Sequence, residues 1–148
     1  MTIIRHPIER IISDYHLCKR SPKHHMHRIA NSVSLVDFVK IHRMPNSMAR
    51  QMIGSKRDGF HRGKLSLELV QSALDRFVFI GLYDHYIYSV QKIFENIGIS
   101  FDYLKNLKFE PTDTKKKMEK LDTAEREELN TLHQFDFHIY ESIKGSFK

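Results

Sequence analysis

TIIRHPIERIISDYH, residues 2–16, decides how this chain is read. Thr2, Ile3 and Ile4 make a run rich in β-branched side chains, which favours a strand, and the run stops at Arg5. Pro7 has its φ held near the helical value and carries no N–H, so it suits the first position of a helix. Beyond it Ile8, Ile11, Ile12 and Tyr15 recur at helical spacing and form one apolar stripe. The pattern predicts a strand, a sharp turn, and a helix from Pro7 to about Lys19. Arg5 is left at the mouth of the turn, beside helix amides that lack an internal partner and favour an anion. Its guanidinium is a permanently charged planar fork suited to phosphate, and the Ser13 hydroxyl can donate to the same anion. The same residues also make an ordinary helix start with a surface arginine, and the turn alone does not separate the two.

The rest of the composition is compatible with either. A chain of 148 residues, 41% hydrophobic with ten Phe and six Tyr, fits one globular domain with a real core. Its net charge of +6 suits a polyanionic partner: nucleic acid, a sulfated or phosphorylated ligand, or an anionic membrane surface. Cys18 is the single cysteine, which excludes an internal disulfide. No stretch approaches the roughly 20 apolar residues of a membrane span, and Ile3-Ile4 is too short for the apolar region of a signal peptide.

Downstream, CKRSPKHHMHR (residues 18–28) reads as a basic, histidine-rich loop. Ser34 with Asp37 resembles a capping box opening a helix with Leu35, Phe38 and Val39 on its face. Met44-Pro45-Asn46 ends that helix, and a weaker one runs through Met48, Met52 and Ile53 to Gly54. SKRDGFHRGK, residues 55–64, reads as a polar loop. Ser66 can cap a helix carrying Leu67, Val70, Leu74 and Phe77, and FVFIGL, residues 77–82, reads as a buried strand. Asp84 is the expected cap of the next helix, with Ile87, Val90, Phe94 and Ile97 inward and Gly98 as its stop. Residues 111–128 are highly charged and read as a solvated linker or helix. Asp122 with Glu125 is another capping pair, and Leu129, Leu132, Asp136, Ile139 and Ile143 define a final helix. Strand, helices, strand, helix is the order of part of an α/β sheet, and two short strands need neighbours on both faces and edges.

The opening motif carries a resemblance. R-H-P-I-E-R-I-I-S, residues 5–13, resembles the R-[DH]-P-x-x-R-x-x-S motif of sulfotransferases that use 3'-phosphoadenosine 5'-phosphosulfate (PAPS). SLVDFV (34–39) and NSMARQMIG (46–54) are similar to a helix and an N-x-Q-x-R-x-L-x-G segment of that family, with Met48 in place of the glutamine. FVFIGLYDHYIYS (77–89) resembles its F-x-x-V-G-L-x-E-x-[FY]-x-x-S region, and DFHIY (136–140) its closing D-x-x-L-Y helix. The order of these pieces points to the carbohydrate or Golgi-type branch and its bacterial relatives.

The resemblance implies a helix-rich α/β chain: part of a three-layer fold of the P-loop type with few parallel strands, spanning residues 1–148 as one domain. It implies PAPS as co-substrate, Arg5 and Ser13 as ligands of its 3'-phosphate with Arg10 in support, and a hydroxyl acceptor, plausibly on a carbohydrate. Family members carry a 5'-phosphosulfate loop well before this motif, and only four residues precede Arg5 here. Gly54 to Gly59 has the gap of a phosphate loop, but Phe60-His61 follows where Lys-Ser/Thr is needed. The expectation is therefore a C-terminal portion of such a domain, with no catalytic base assigned. His6 stands where the family commonly has aspartate and reads as a turn residue. By default the compartment is cytoplasmic, or the Golgi membrane for a piece of a Golgi-type member.

Two other constellations compete. His16, Cys18, His24, His25 and His27 carry zinc-type donors, but their spacing fits no zinc finger and reads as a basic surface loop, so no metal is expected. Lys115, Lys116, Lys117 and Lys120 with the histidine loop could track a phosphate backbone, the alternative being a nucleic-acid- or polyanion-binding module without catalysis. Glu119, Glu125, Glu127 and Glu128 crowd the same segment, so a solvated helix face is the simpler reading and no nucleic acid is expected.

Overall fold

The computed structural model describes residues 1–42, 45–54, 61–100, 118 and 120–147. Of the expected loop over 55–64, residues 55–60 lie outside them, and of the charged stretch over 111–128, residues 111–117 and 119. Strand β1 (Thr2–Ile4) pairs in parallel with β2 (Ile80–Leu82), Thr2 opposite Ile80 and Ile4 opposite Leu82. The FVFIGL run was expected to be strand throughout, and only its last three residues are. Pairing extends no further than β1, which is three residues long. Phe77 instead closes the turn after the preceding helix through its N–H to Leu74 O (3.0 Å), and Val78 is 78% exposed.

Helix α1 (Pro7–Arg20) follows β1 as the proline and the isoleucine stripe predict. Ile8, Ile11, Ile12, Tyr15 and Cys18 are buried against Leu35, Val36, Phe38 and Val39 of α3 (Leu35–His42). Each fully buried isoleucine contributes about 2 kcal/mol relative to exposure. The histidine-rich stretch is less of a loop than expected. Its first three residues complete α1, and its end opens a short helix α2 (His27–Ser32) whose Ala30 joins the same core.

The caps read from sequence are largely in place. Ser34 Oγ accepts from Asp37 N–H (3.1 Å) and donates to Asp37 Oδ2 (2.8 Å). Helix α4 (Ser47–Ile53) ends at Gly54, whose φ of 72° suits a residue without Cβ. Ser66 caps α5 (Leu67–Leu74) through Leu69 N–H. Asp122 and Glu125 form a complete capping box on α7 (Thr123–Leu132). A second core gathers Ile4, Ile80 and Leu82 of the sheet with Met48, Met52, Val70, Leu74, Ile139 and Tyr140.

Helix α6 (Tyr86–Asn96) corrects two expectations. Asp84 does not cap it; a 3-10 turn, Tyr83–His85, intervenes and Asp84 faces elsewhere. Ile87 and Ile97 are 42% and 49% exposed, whereas Ser89 and Val90 are buried. Docking is set by Ser89, which lies against Gly81, accepts from Leu82 N–H and donates to Leu82 O, both at 2.9 Å. A Cβ at position 81 would stand 2.5 Å from the Ser89 Cβ, so glycine is what lets the helix approach this close. The final helix is also two. The apolar stripe continues across the break, but α7 ends at Leu132 and α8 (Gln134–Gly145) starts anew beyond His133.

Candidate functional site

Arg5 leaves β1 and enters the turn. Its Nε and Nη2 lie 3.0 and 2.9 Å from Oε2 of Glu9, which is 6% exposed, and its guanidinium sits over the Tyr83 ring at 4.5 Å. Carboxylate and ring together hold the fork against the turn, because a planar cation pairs along its edge and stacks on its face. One turn further along α1, Arg10 Nη2 donates to Gln51 Oε1 of α4 at 2.7 Å.

Arg5, Arg10 and Ser13 line one cavity of about 370 Å³, with Ser47 and Gln51 of α4 on its far wall. A neighbouring cavity of about 380 Å³ shares Arg5, Arg10 and Gln51 and is completed by Thr2 and by the apolar Ile3, Ile4, Met48, Met52 and Phe77. All three residues singled out in the sequence therefore meet. The Ser13 hydroxyl makes no hydrogen bond among the described residues, so it can meet a ligand in this cavity. Glu9, Tyr83 and Gln51 were not foreseen. Glu9 had a signal, the i,i+4 spacing from Arg5; Tyr83 and Gln51 lie far along the chain and had none.

The segments that surround this turn are bonded to one another. Asp136, 2% exposed, accepts from Met48 N–H (3.1 Å) and Ala49 N–H (2.8 Å), satisfying the start of α4. In return Asn46 Oδ1 accepts from Phe135 N–H (2.8 Å) and Asp136 N–H (3.3 Å), satisfying the start of α8. Asn46 itself adopts the left-handed conformation, φ 57°, and its own N–H donates to His133 Nδ1 at 3.2 Å. Asp84 accepts from the Tyr140 hydroxyl at 2.7 Å, which ties α8 to the turn after β2. Burial, then the Asp84 carboxylate, push the Tyr140 phenol far above its usual range, so it stays a donor at all ordinary pH.

His6 is a packing residue. Its ring meets Phe137 and Tyr140 edge-on at 5.4 and 5.1 Å, and its Nδ1 is buried with no partner among the described residues. Burial pulls its pKa below the usual histidine value, against the carboxylates of Glu9, Asp84 and Glu141. His42, stacked on Phe38, is lowered by burial in the same way. Below about pH 6.5 the unfolded chain therefore takes up protons that the folded one resists. Stability is full above that pH and falls as the solution becomes more acidic. Urea midpoints are expected to drop between pH 7.5 and pH 5.5, with a smaller drop for His42→Gln; equal midpoints for the native chain would contradict this.

The other candidates fare differently. Cys18 Sγ and His24 Nε2 are 3.9 Å apart, but among the described residues no three His, Cys, Asp or Glu stand where they could hold a metal ion. Lys115, Lys116 and Lys117 lie outside the described residues. A further cavity of about 910 Å³ opens between Phe77, Phe79, Tyr88 and Phe147 and has no lysine or arginine in its lining. No helix among the described residues is long and apolar enough to cross a membrane. Comparison with protein-family models, with curated proteins and with solved structures finds no match to this chain.

Proposed function

We propose that this chain belongs to a PAPS-dependent sulfotransferase and contributes the seat of the nucleotide's 3'-phosphate. The observation that carries the reading is the convergence of Arg5, Arg10 and Ser13 on one cavity at the end of a parallel strand. Two guanidinium groups and a free hydroxyl are a donor set for a phosphate, and the crevice beyond the carboxyl ends of parallel strands is where α/β folds take such ligands. The fold in this reading is part of a three-layer arrangement of the P-loop type.

The reaction is an in-line displacement: an acceptor oxygen, plausibly on a carbohydrate, bonds to sulfur as the sulfur–phosphate oxygen bond breaks. The acceptor loses its proton, and adenosine 3',5'-bisphosphate leaves. This chain's share is binding and orientation. Arg5, held by Glu9 and Tyr83, meets the 3'-phosphate with little reorganisation, and Arg10 and Ser13 close around it. No residue is assigned as the base.

Calorimetric titration tests this. Adenosine 3',5'-bisphosphate is expected to bind about tenfold or more tightly than adenosine 5'-monophosphate, since only the former places a phosphate on the two arginines. Ser13→Ala should weaken the first ligand about fivefold, the worth of one hydrogen bond, and leave the second unchanged. Equal affinity for both nucleotides would remove the reading.

A further inference from the structure

The cavity of about 910 Å³ takes no part in the site around Arg5. It has no lining residue in common with the cavity that holds Ser13, and only Phe77 in common with the neighbouring one. Its volume is that of a small-molecule pocket. Three rings gather on Phe147: His85 stacked at 5.6 Å, Tyr88 at 5.9 Å and 79° to it, and Phe79 tilted at 6.3 Å. All four line the cavity. They come from the approach to β2, the 3-10 turn, α6 and the residues after α8, so the tertiary fold assembles this cluster.

Its charge is as distinctive as its rings. Asp75 is the one carboxylate among the described lining residues, and no lysine or arginine is among them, in a chain of net charge +6. Cations on the flanking elements are held elsewhere. Arg76 Nη2 donates to Met52 O (3.1 Å) and Ile53 O (2.9 Å), Lys92 pairs with Glu95 at 2.7 Å, and Lys144 with Glu141 at 3.6 Å. Asp75 is exposed and accepts from Gln71 Nε2 through Oδ1 at 3.0 Å. A carboxylate that accepts one such bond keeps lone pairs for a cation. Lys92 Nζ also lies over the Tyr88 ring, 5.8 Å from its centre, so that ring already draws a cation.

We propose that this cavity binds a small organic cation, an ammonium group with apolar substituents, its charge met by Asp75 and its hydrocarbon by the rings of Phe79, Tyr88 and Phe147. Ring faces carry negative potential and attract a cation, and an alkylated ammonium offers them both charge and apolar surface. An anion would meet the Asp75 carboxylate with no cation of the lining to offset it. A neutral apolar ligand would gain the rings and leave the carboxylate without a counter-charge. This site is independent of the sulfuryl-transfer reading.

Calorimetric titration of the whole chain with three probes tests it: choline, the neutral isostere of choline with carbon in place of the ammonium nitrogen, and benzyltrimethylammonium. Choline is expected to bind about tenfold or more tightly than its isostere, and benzyltrimethylammonium tighter still, because its ring buries more apolar surface. Asp75→Asn keeps an acceptor for Gln71, and should weaken both cations about threefold while leaving the isostere unchanged. Tyr88→Leu changes a half-exposed residue and keeps apolar bulk without the ring, and should also weaken both cations about threefold. Circular dichroism checks that both variants fold. Equal affinity for choline and its isostere, no binding of benzyltrimethylammonium, or cation affinities unchanged in either variant would each overturn the proposal. Adenosine 3',5'-bisphosphate is titrated into the same samples, so failure of the nucleotide site is scored separately.

Discussion

Arg5→Ala is expected to lower affinity for adenosine 3',5'-bisphosphate about a hundredfold or more. The guanidinium supplies charged hydrogen bonds from the wall of the cavity, and truncating such a partner costs about 2–5 kcal/mol, where each 1.4 kcal/mol is tenfold. The same substitution removes the cation facing Glu9, whose side chain is 8% exposed, so stability should also fall, by about 3 kcal/mol. The two effects separate in the double variant Arg5→Ala, Glu9→Ala. Losing both charges together restores much of the stability while the nucleotide still fails to bind. Calorimetry and urea unfolding on the native chain, the single and the double variant decide it. Recovery of binding in the double variant would mean that Arg5 only neutralises Glu9.

Asp136→Ala should be the most damaging change to the fold, costing about 3 kcal/mol or more. Its carboxylate is the partner of two buried backbone N–H groups at the start of α4, and each donor left unsatisfied costs about 1–3 kcal/mol. Because α4 carries Ser47 and Gln51, the cavity wall should loosen with it, and nucleotide affinity should fall although Asp136 lies outside the cavity lining. Asp136→Asn keeps an acceptor and is expected to cost about half as much. Asn46→Ala should not add to Asp136→Ala, since both residues belong to one network that joins α4 to α8. A melting temperature unchanged in Asp136→Ala would refute the capping account.

The exchange of caps between Asn46 and Asp136 also explains why sequence patterning named Asp136 as one residue of a helix stripe. Leu129, Asp136 and Ile139 are all buried, so the stripe is real. What periodicity cannot express is that an aspartate on a buried face must have partners, and that here they are amides 87 and 88 residues away. The break at His133 follows from the same contact, because Asn46 supplies the acceptor that a new helix start requires.

Local information was enough for the strand ending at Arg5, the helix opened by Pro7, the caps at Ser34, Ser66 and Asp122, and the stops at Gly54 and Gly98. These are decided within a few residues by φ preferences, side-chain oxygens near free amides, and apolar spacing. It also set Arg5, Arg10 and Ser13 near one another, because a single turn and helix fix their relative positions. Tertiary packing alone decided the rest: that Ser89 against Gly81 turns α6 away from its own apolar stripe, that Asp84 serves Tyr140 instead of a helix end, and that Tyr83 and Gln51 come to the arginines. Those contacts join residues that are distant along the chain, and their partners are selected by which surfaces fit once the core closes.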